Sequence, residues 1–511
     1  MIAVLASLGQ PLPQDPTPIE TPTVDWGAVA PLLVLVGAAL VLLLTSALVS
    51  WLRSTTFYTV LTCLAGIGTV VAVVPLWREV QDPERGPFST IAGAVGVDGF
   101  SLFMTAVIAL AVVLAALFAD GYLRREGLES VEPYVLLLLS ASGGLVMAHA
   151  NDLIVLFLGL EVLSLAVYVL AAMHRRRVTS QEAGIKYFVL GAFSSAFFLY
   201  GIALIYGGTG TTNMVEILEL FSTSVLTDDG LVLGGLALIL VGLGFKVAAV
   251  PFHFWTPDVY QGSPSAMVTW MASGVKVAGF AGLIRVLVLA FDAYAVDWQP
   301  IVYLLAVLSL IVGAVLAVVQ TDVKRMMAYS SINHAGFVLV GVQVADAQGV
   351  EAALFYLATY TFLIAGTFGV VTLVGRTGDG HHSLDDYRGL GRSRPLLALL
   401  MTVFLLAQAG VPLTSGFFAK FYVIVAAVDG GSTSLAVIAM LSSVISAYLY
   451  LRITVSLYMD EPSEAAPRIA VPAGAGVALA VCIAVTLVVG VWPGLVTEVA
   501  RDAVPVLTAL G

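Results

Sequence analysis

Charge is scarce in this chain. Only 11% of its 511 residues are Asp, Glu, Lys or Arg, against about 25% in an ordinary soluble domain. That scarcity, with 59% hydrophobic residues and a mean hydropathy of +1.00, excludes a soluble enzyme and marks an integral membrane protein. Cysteine is nearly missing too. Cys63 and Cys482, the only two, both fall in apolar runs and cannot by themselves build an iron–sulfur or zinc site. No nucleotide, flavin or haem motif occurs. The glycine run Gly207-Gly208-Thr209-Gly210 lacks the lysine of a phosphate loop and reads as a turn. Redox chemistry must therefore take place elsewhere. The net charge of −11 belongs mostly to loops, and nothing points to nucleic acid. The N-terminal stretch has no basic region and is broken by prolines, unlike a cleaved signal peptide.

What is present is a succession of apolar runs. Fourteen spans are expected, at about 30–51, 57–77, 99–119, 133–149, 153–173, 182–206, 231–255, 265–290, 300–319, 326–344, 351–374, 396–428, 435–459 and 470–492. Most suffice to cross a hydrocarbon core of roughly 30 Å at 1.5 Å per residue. With the N-terminus outside, the cytoplasmic loops hold 13 Lys and Arg and the outer loops 3, namely Arg78, Arg85 and Arg501. That bias predicts that both termini lie outside.

Two spans carry breaks. The seventh contains FKVAAVPFHFWTPDVYQGSP, in which Pro251 removes a backbone donor and must interrupt the helix near Val250. The twelfth is too long for one crossing and contains Gly410-Val411-Pro412. Each break is the fourth helix of a block of five, spans 4–8 and spans 9–13. An odd number of helices per block inverts the second against the first, the plan of many transporters. The expected architecture is thus all-α: a three-helix segment (1–130), two inverted five-helix repeats (131–292 and 293–460) with helices 7 and 12 discontinuous, and a terminal helix (461–511).

The charges inside the spans are the candidate site. Glu161 lies deep in span 5. Lys246 lies 15 residues from Leu231, near the bilayer middle, and Lys276 about twelve residues into span 8. Lys420 follows the second break. Lys186, near the start of span 6, is the basic candidate within a span that follows Glu161 most closely in sequence. His334 adds a group suited to proton exchange. Unpaired charges in hydrocarbon are costly and mark ion pathways. Burial disfavours a lysine's charged form and a nearby carboxylate favours it, so movement of Glu161 relative to Lys246 would switch that lysine between holding and releasing a proton. A scaffold that moves no ions has no reason to carry such groups. Arg285 and Arg452, near helix ends, are expected to snorkel. His381 and His382 sit in a charged loop without a ligand set.

At Glu161, Lys246 with its span-7 signature, Lys276 and Lys420, the sequence resembles the antiporter-like subunits of proton-pumping NADH:quinone oxidoreductase, respiratory complex I. The resemblance covers the whole chain. The family also includes large subunits of multisubunit sodium/proton antiporters, the competing reading. Lysine at 420, Lys186 in span 6 and a short tail after the last span resemble one of the family's large subunits more than its siblings. The first three helices, which that subunit's mitochondrial relative lacks, point to a bacterial plasma membrane. The resemblance implies proton translocation driven by quinone reduction in neighbouring subunits, inside an obligate hetero-oligomer. Glu161 would modulate Lys246, Lys276 would carry protons onward and Lys420 would be the terminal carrier, with His334 and Lys186 as further members. NADH, FMN, iron–sulfur clusters and quinone would belong to partner subunits, and this chain would hold no cofactor.

Overall fold

A computed structural model describes residues 22–223, 229–459 and 469–504. The N-terminal stretch read above, Arg468 and the C-terminal Gly511 lie outside the described residues. The first helices are α1 (Ala30–Leu48), α2 (Thr55–Val80), α3 (Gly99–Glu126), α4 (Glu132–His149), α5 (Leu153–Ala172) and α6 (Val178–Thr209). A short α7 (Met214–Thr223) precedes α8 (Gly230–Val247) and α9 (Trp255–Gly262). Then come α10 (Ser265–Ala272) and α11 (Gly274–Ile284), which continues as one wider turn over Arg285–Ala290. The second half runs through α12 (Ala295–Val318), α13 (Val323–Val344) and α14 (Ala347–Val374). It ends with α15 (Leu390–Ser393), α16 (Pro395–Ala409), α17 (Ser415–Asp429), α18 (Thr433–Tyr458), α19 (Ala473–Val491) and α20 (Gly494–Asp502).

Among the described residues, eleven helical stretches are long and apolar enough to cross a membrane. The chain is a multi-pass membrane protein. Aspartates set several helix starts by accepting free backbone N–H groups of the first turn: Asp98 for α3, Asp152 for α5, Asp322 for α13 and Asp346 for α14. The glycine run at 207–210 is not a turn along its whole length: Gly207, Gly208 and Thr209 still belong to α6, and only Gly210, at φ +80°, lies past the helix and caps it. One departure from an all-helical chain is a small hairpin, β1 (Phe88–Thr90) against β2 (Val95–Val97), in the polar loop before α3. Its Thr90 backs onto the segment before α1 and Val95 pairs with Ala150, so it stitches loops at one end of the bundle.

Packing is graded from edge to centre. α1 shows much of its surface outward, whereas α14 is buried almost throughout. α3 touches α4, α11, α14 and α19, and so joins the N-terminal segment to both later halves. Close approach depends on glycine: a Cβ at Gly143 would lie 2.4 Å from the Leu163 backbone, so α4 and α5 could not pack as they do with a larger residue there.

Both expected breaks are present. α8 stops at Val247, three residues earlier than Pro251 alone suggests, because Ala248 adopts the left-handed conformation (φ +61°) and Ala249 N–H bonds back to Gly244. The freed Val250 N–H donates to Ser309 Oγ on α12 at 2.9 Å, and Trp255 Nε1 donates to Phe245 O at 3.0 Å. The second break has the same form. α16 ends at Gly410 (φ +93°), and α17 resumes at Ser415, three residues past Pro412.

Candidate functional site

Lys246 sits in the last turn of α8, where the helix dipole favours a cation. It is buried, and its ammonium donates to Ser164 Oγ on α5 at 2.6 Å. The rings of Tyr168 and Tyr187 lie 5.9 and 6.0 Å from the same nitrogen. Tyr187 stacks on Trp255, which caps the broken helix, so one aromatic group both walls the lysine and fixes the break. Glu161 is half-buried one turn before Ser164 on α5 and accepts from Ser195 of α6. Its charge reaches Lys246 through space, but the two do not form an ion pair.

Lys276, buried on α11, donates to the backbone oxygen of Ser331 on α13 at 2.5 Å. Gly279, one turn along α11, faces the Lys246 stem so closely that a Cβ there would lie 3.0 Å from Lys246 Cγ. The two lysines therefore lie on helices in direct contact. His334, three residues after Ser331, bonds to Tyr356 OH at 2.6 Å and Tyr450 OH at 3.1 Å. It stands close enough to both Lys276 and Lys420 for their charges to act on it. Tyr360 extends the group, donating to Ser331 Oγ at 2.9 Å with its ring 4.8 Å from that of His334. Lys420, on α17, donates to Ala409 O at the second break (3.1 Å) and to Ser443 Oγ (2.8 Å), with its ammonium 4.9 Å from the centre of the Phe337 ring.

Glu161, Lys246, Lys276, His334 and Lys420 thus form one polar line through the apolar interior. Hydroxyls and tyrosines fill the intervals. Each lysine donates to neutral oxygens rather than to a carboxylate. A neutral acceptor holds a proton in place without the electrostatic trap of an ion pair, so the arrangement suits groups that exchange protons. Pro251 and Pro412 border the two lysine-bearing breaks.

Lys186 stands apart from this line. It is half-exposed and pairs with Glu182 and Asp258, each at 2.7 Å, not with Glu161. Asp258 also holds Arg325 of α13 at 2.6 Å, which makes it a clasp between the two halves. It lies inside the span-7 signature, yet its role depends on partners 67 and 72 residues away.

One expectation about the other charges does not hold, and one residue set aside has a defined environment. Arg285 does not snorkel. It is fully buried, paired with Asp98 at 2.7 Å and bonded to Ala148 O at 2.6 Å. His382 does lie in the loop after α14, but it is not exposed there. It is buried against Asp379, which accepts from His382 Nε2 (2.8 Å), Arg177 (2.8 Å), Ser265 Oγ (2.6 Å), Ser265 N–H (3.0 Å) and Tyr122 OH (3.3 Å). Burial pushes the Asp379 carboxyl up, but Lys324 at 3.7 Å and the bonds from His382 and Ser265 outweigh it and hold the group below the usual carboxylate range. Arg452, by contrast, is half-buried and bonds the backbone oxygens of Val318 and Gln320 near the end of α12. Among the described residues, no three His, Cys, Asp or Glu side chains are grouped to hold a metal.

Residues 150–446 match a family described as NADH:quinone oxidoreductase/Mrp antiporter, TM. The chain is 41% identical over 485 residues to NADH-quinone oxidoreductase subunit N of Trichlorobacter lovleyi, an alignment covering 95% of this chain and 98% of that one. Its fold is similar to that of a chain of respiratory complex I from Thermus thermophilus solved with bound aureothin, with a TM-score of 0.76 at 33% identity over 94% of this chain and 100% of that one. A chain of the Mrp complex from a Dietzia species has the same fold, with a TM-score of 0.80 at 23% identity over 93% of this chain and 97% of that one.

Proposed function

The chain belongs to the NADH:quinone oxidoreductase/Mrp antiporter membrane family, and from that premise we propose that it acts as subunit N of a bacterial NADH-quinone oxidoreductase. Quinone reduction in neighbouring subunits drives protons through it. The observation that carries the reading is the line of buried lysines, each bonded to neutral oxygens. Glu161 biases Lys246, protons pass by Lys276 and His334, and Lys420 delivers them. Lys186 acts at the edge, through Asp258. NADH, FMN, iron–sulfur clusters and quinone stay in the partner subunits.

The proposed topology is fourteen crossings in the bacterial inner membrane with both termini outside. The eleven long apolar stretches are joined in that count by α4, α13 and the α16/α17 pair. The repeats are helices 4–8 (131–292) and 9–13 (293–460), between a three-helix segment (1–130) and a last helix (461–511). The like form of the breaks at Ala248 and Gly410 supports the repeat.

The competing reading is a sodium/proton antiporter subunit. At 23% identity the likeness to the Mrp chain concerns the fold, and the 41% identity to a subunit N favours the redox complex. Native mass spectrometry of gently solubilised membranes, paired with proton uptake by inverted vesicles, tests the choice. The chain should travel with NADH-quinone oxidoreductase subunits, and NADH-driven uptake should fall in Lys276→Ala. A particle of antiporter subunits without NADH-driven uptake would overturn the proposal.

A further inference from the structure

A cleft of about 420 Å³ opens beside α2, away from the lysine line. One wall is the α2 stripe Val70, Val73, Val74 and Trp77, and the floor is Phe103 and Val107 of α3. Phe362 of α14 closes the back, while Leu495 and Val499 of α20 form the roof. α20 is amphipathic. Its apolar positions Leu495, Val496 and Val499 turn to this cleft, and Glu498, Arg501 and Asp502 occupy other positions of the helix, the pattern of a helix lying in a membrane interface.

At the end of the α2 stripe stands Arg78, exposed and lining the cleft. Among the described residues its guanidinium has no ion-pair partner, for Glu79 beside it is taken by Arg85. From Val70 to Arg78 is eight residues, about 12 Å of helix. Half of a hydrocarbon core is roughly 15 Å. With Arg78 in the last turn of α2, at headgroup level if that helix crosses the membrane, the cleft would extend through one leaflet towards the bilayer midplane.

We propose that this cleft binds one anionic phospholipid, its acyl chain along the α2 stripe and its phosphate on Arg78. The apolar walls cannot select the occupant, because a chain leaving bulk lipid gains nothing hydrophobic by entering them. Selection falls to the guanidinium, whose charge-assisted bonds to a phosphate are strong and directional. A helix of a neighbouring subunit would have to bring a carboxylate to Arg78, whereas every anionic phospholipid carries its phosphate at headgroup level, so the unpartnered cation favours the lipid. The inference needs only that the chain spans a membrane, and stands whether or not the lysine line moves protons.

The test uses the assembled complex in nanodiscs of equal phosphatidylglycerol and phosphatidylcholine, with a trace of phosphatidylglycerol bearing a photoreactive group on its chain. Labelling should map to Val70–Trp77 and Val496–Val499. It should be lost in Val74→Trp, which fills the open side of the cleft. In Arg78→Gln it should fall several-fold for phosphatidylglycerol and match that of an equally tagged phosphatidylcholine. Equal labelling of the two lipids in the unaltered complex, unchanged labelling in Val74→Trp, or a crosslink from the α2 stripe to a neighbouring subunit would overturn the proposal.

Discussion

Lys246 and Glu161 are neighbours that do not pair: Lys246 donates to Ser164 at 2.6 Å, and Glu161, one turn away on the same helix α5, accepts instead from Ser195. An ion pair would hold the lysine proton firmly. A serine between the two leaves the carboxylate able to act on the lysine without binding it, so small shifts of α5 against α8 alter their interaction.

Lys246→Arg keeps the charge but cannot release it, because arginine stays protonated at any working pH. Proton pumping in inverted vesicles, normalised to assembled complex, should fall about tenfold or more, equivalent to ~1.4 kcal/mol or more in barrier. Lys246→Ala should do the same. Pumping at the unaltered rate in Lys246→Arg would reduce the lysine to a structural cation.

Ser164→Ala leaves the buried Lys246 ammonium without its hydroxyl acceptor, at a cost of about 1–3 kcal/mol. Both the thermal midpoint of the solubilised complex and the pumping rate should drop, and Ser164→Thr should restore much of each. A fully active Ser164→Ala would show that the hydroxyl is dispensable.

Gly279→Ala puts a methyl 3.0 Å from Lys246 Cγ and 3.1 Å from Val247 Cγ1. Overpacking of this kind costs about 1–3 kcal/mol. Because one of the crowded groups is the lysine stem, pumping should suffer more than assembly does. Assembly yield by native gel, set against pumping, separates the two effects.

Asp379→Asn removes a buried charge that faces Arg177, Lys324 and His382. Breaking a buried pair from one side costs about 3–5 kcal/mol, so unfolding of the solubilised complex should begin at clearly lower temperature. The pH dependence has a definite sign. The folded carboxyl lies below its ordinary value. Its stabilisation is therefore full above the unfolded value of about 3.9 and fades only as pH falls below that, through the folded one. The deficit of Asp379→Asn should be flat between about pH 5 and 8 on this account. A deficit that vanishes inside that window would contradict it.

A reporter active only in the cytoplasm, fused after Gly511, should stay silent. The expectation rests on 13 basic residues in the loops of one side against 3 on the other. A strong signal would reverse the proposed orientation.

The sequence revealed those features that violate their own surroundings. A proline in an apolar helix and a lysine in hydrocarbon announce themselves locally, which is why Lys246, Lys276, Lys420 and both breaks could be found without coordinates. Features defined by a distant partner could not. Arg285 read as a snorkelling cation because Asp98 stands 187 residues away. His382 looked idle because what buries it beside the nearby Asp379 comes from far along the chain, Ser265 117 residues away and the start of α13. Ser164, three residues after Glu161, was within reach: a serine one helical turn from an acid inside a span shares its face. The end of α8 was misjudged by three residues because a left-handed alanine, rather than the proline, stops it.

The hydrogen bond from Val250 N–H to Ser309 Oγ has a consequence for how this gene can change. The loose end of the first interruption is fastened by a residue from the other half of the molecule. A substitution at 309 therefore alters the backbone next to Lys246, and a shift of the Ala248–Pro251 joint strands the serine. If the halves arose by duplication, they ceased to be independent copies once this bond formed. Grafting one half from a relative onto the other half of this chain should fail unless both sides of that joint are carried over together.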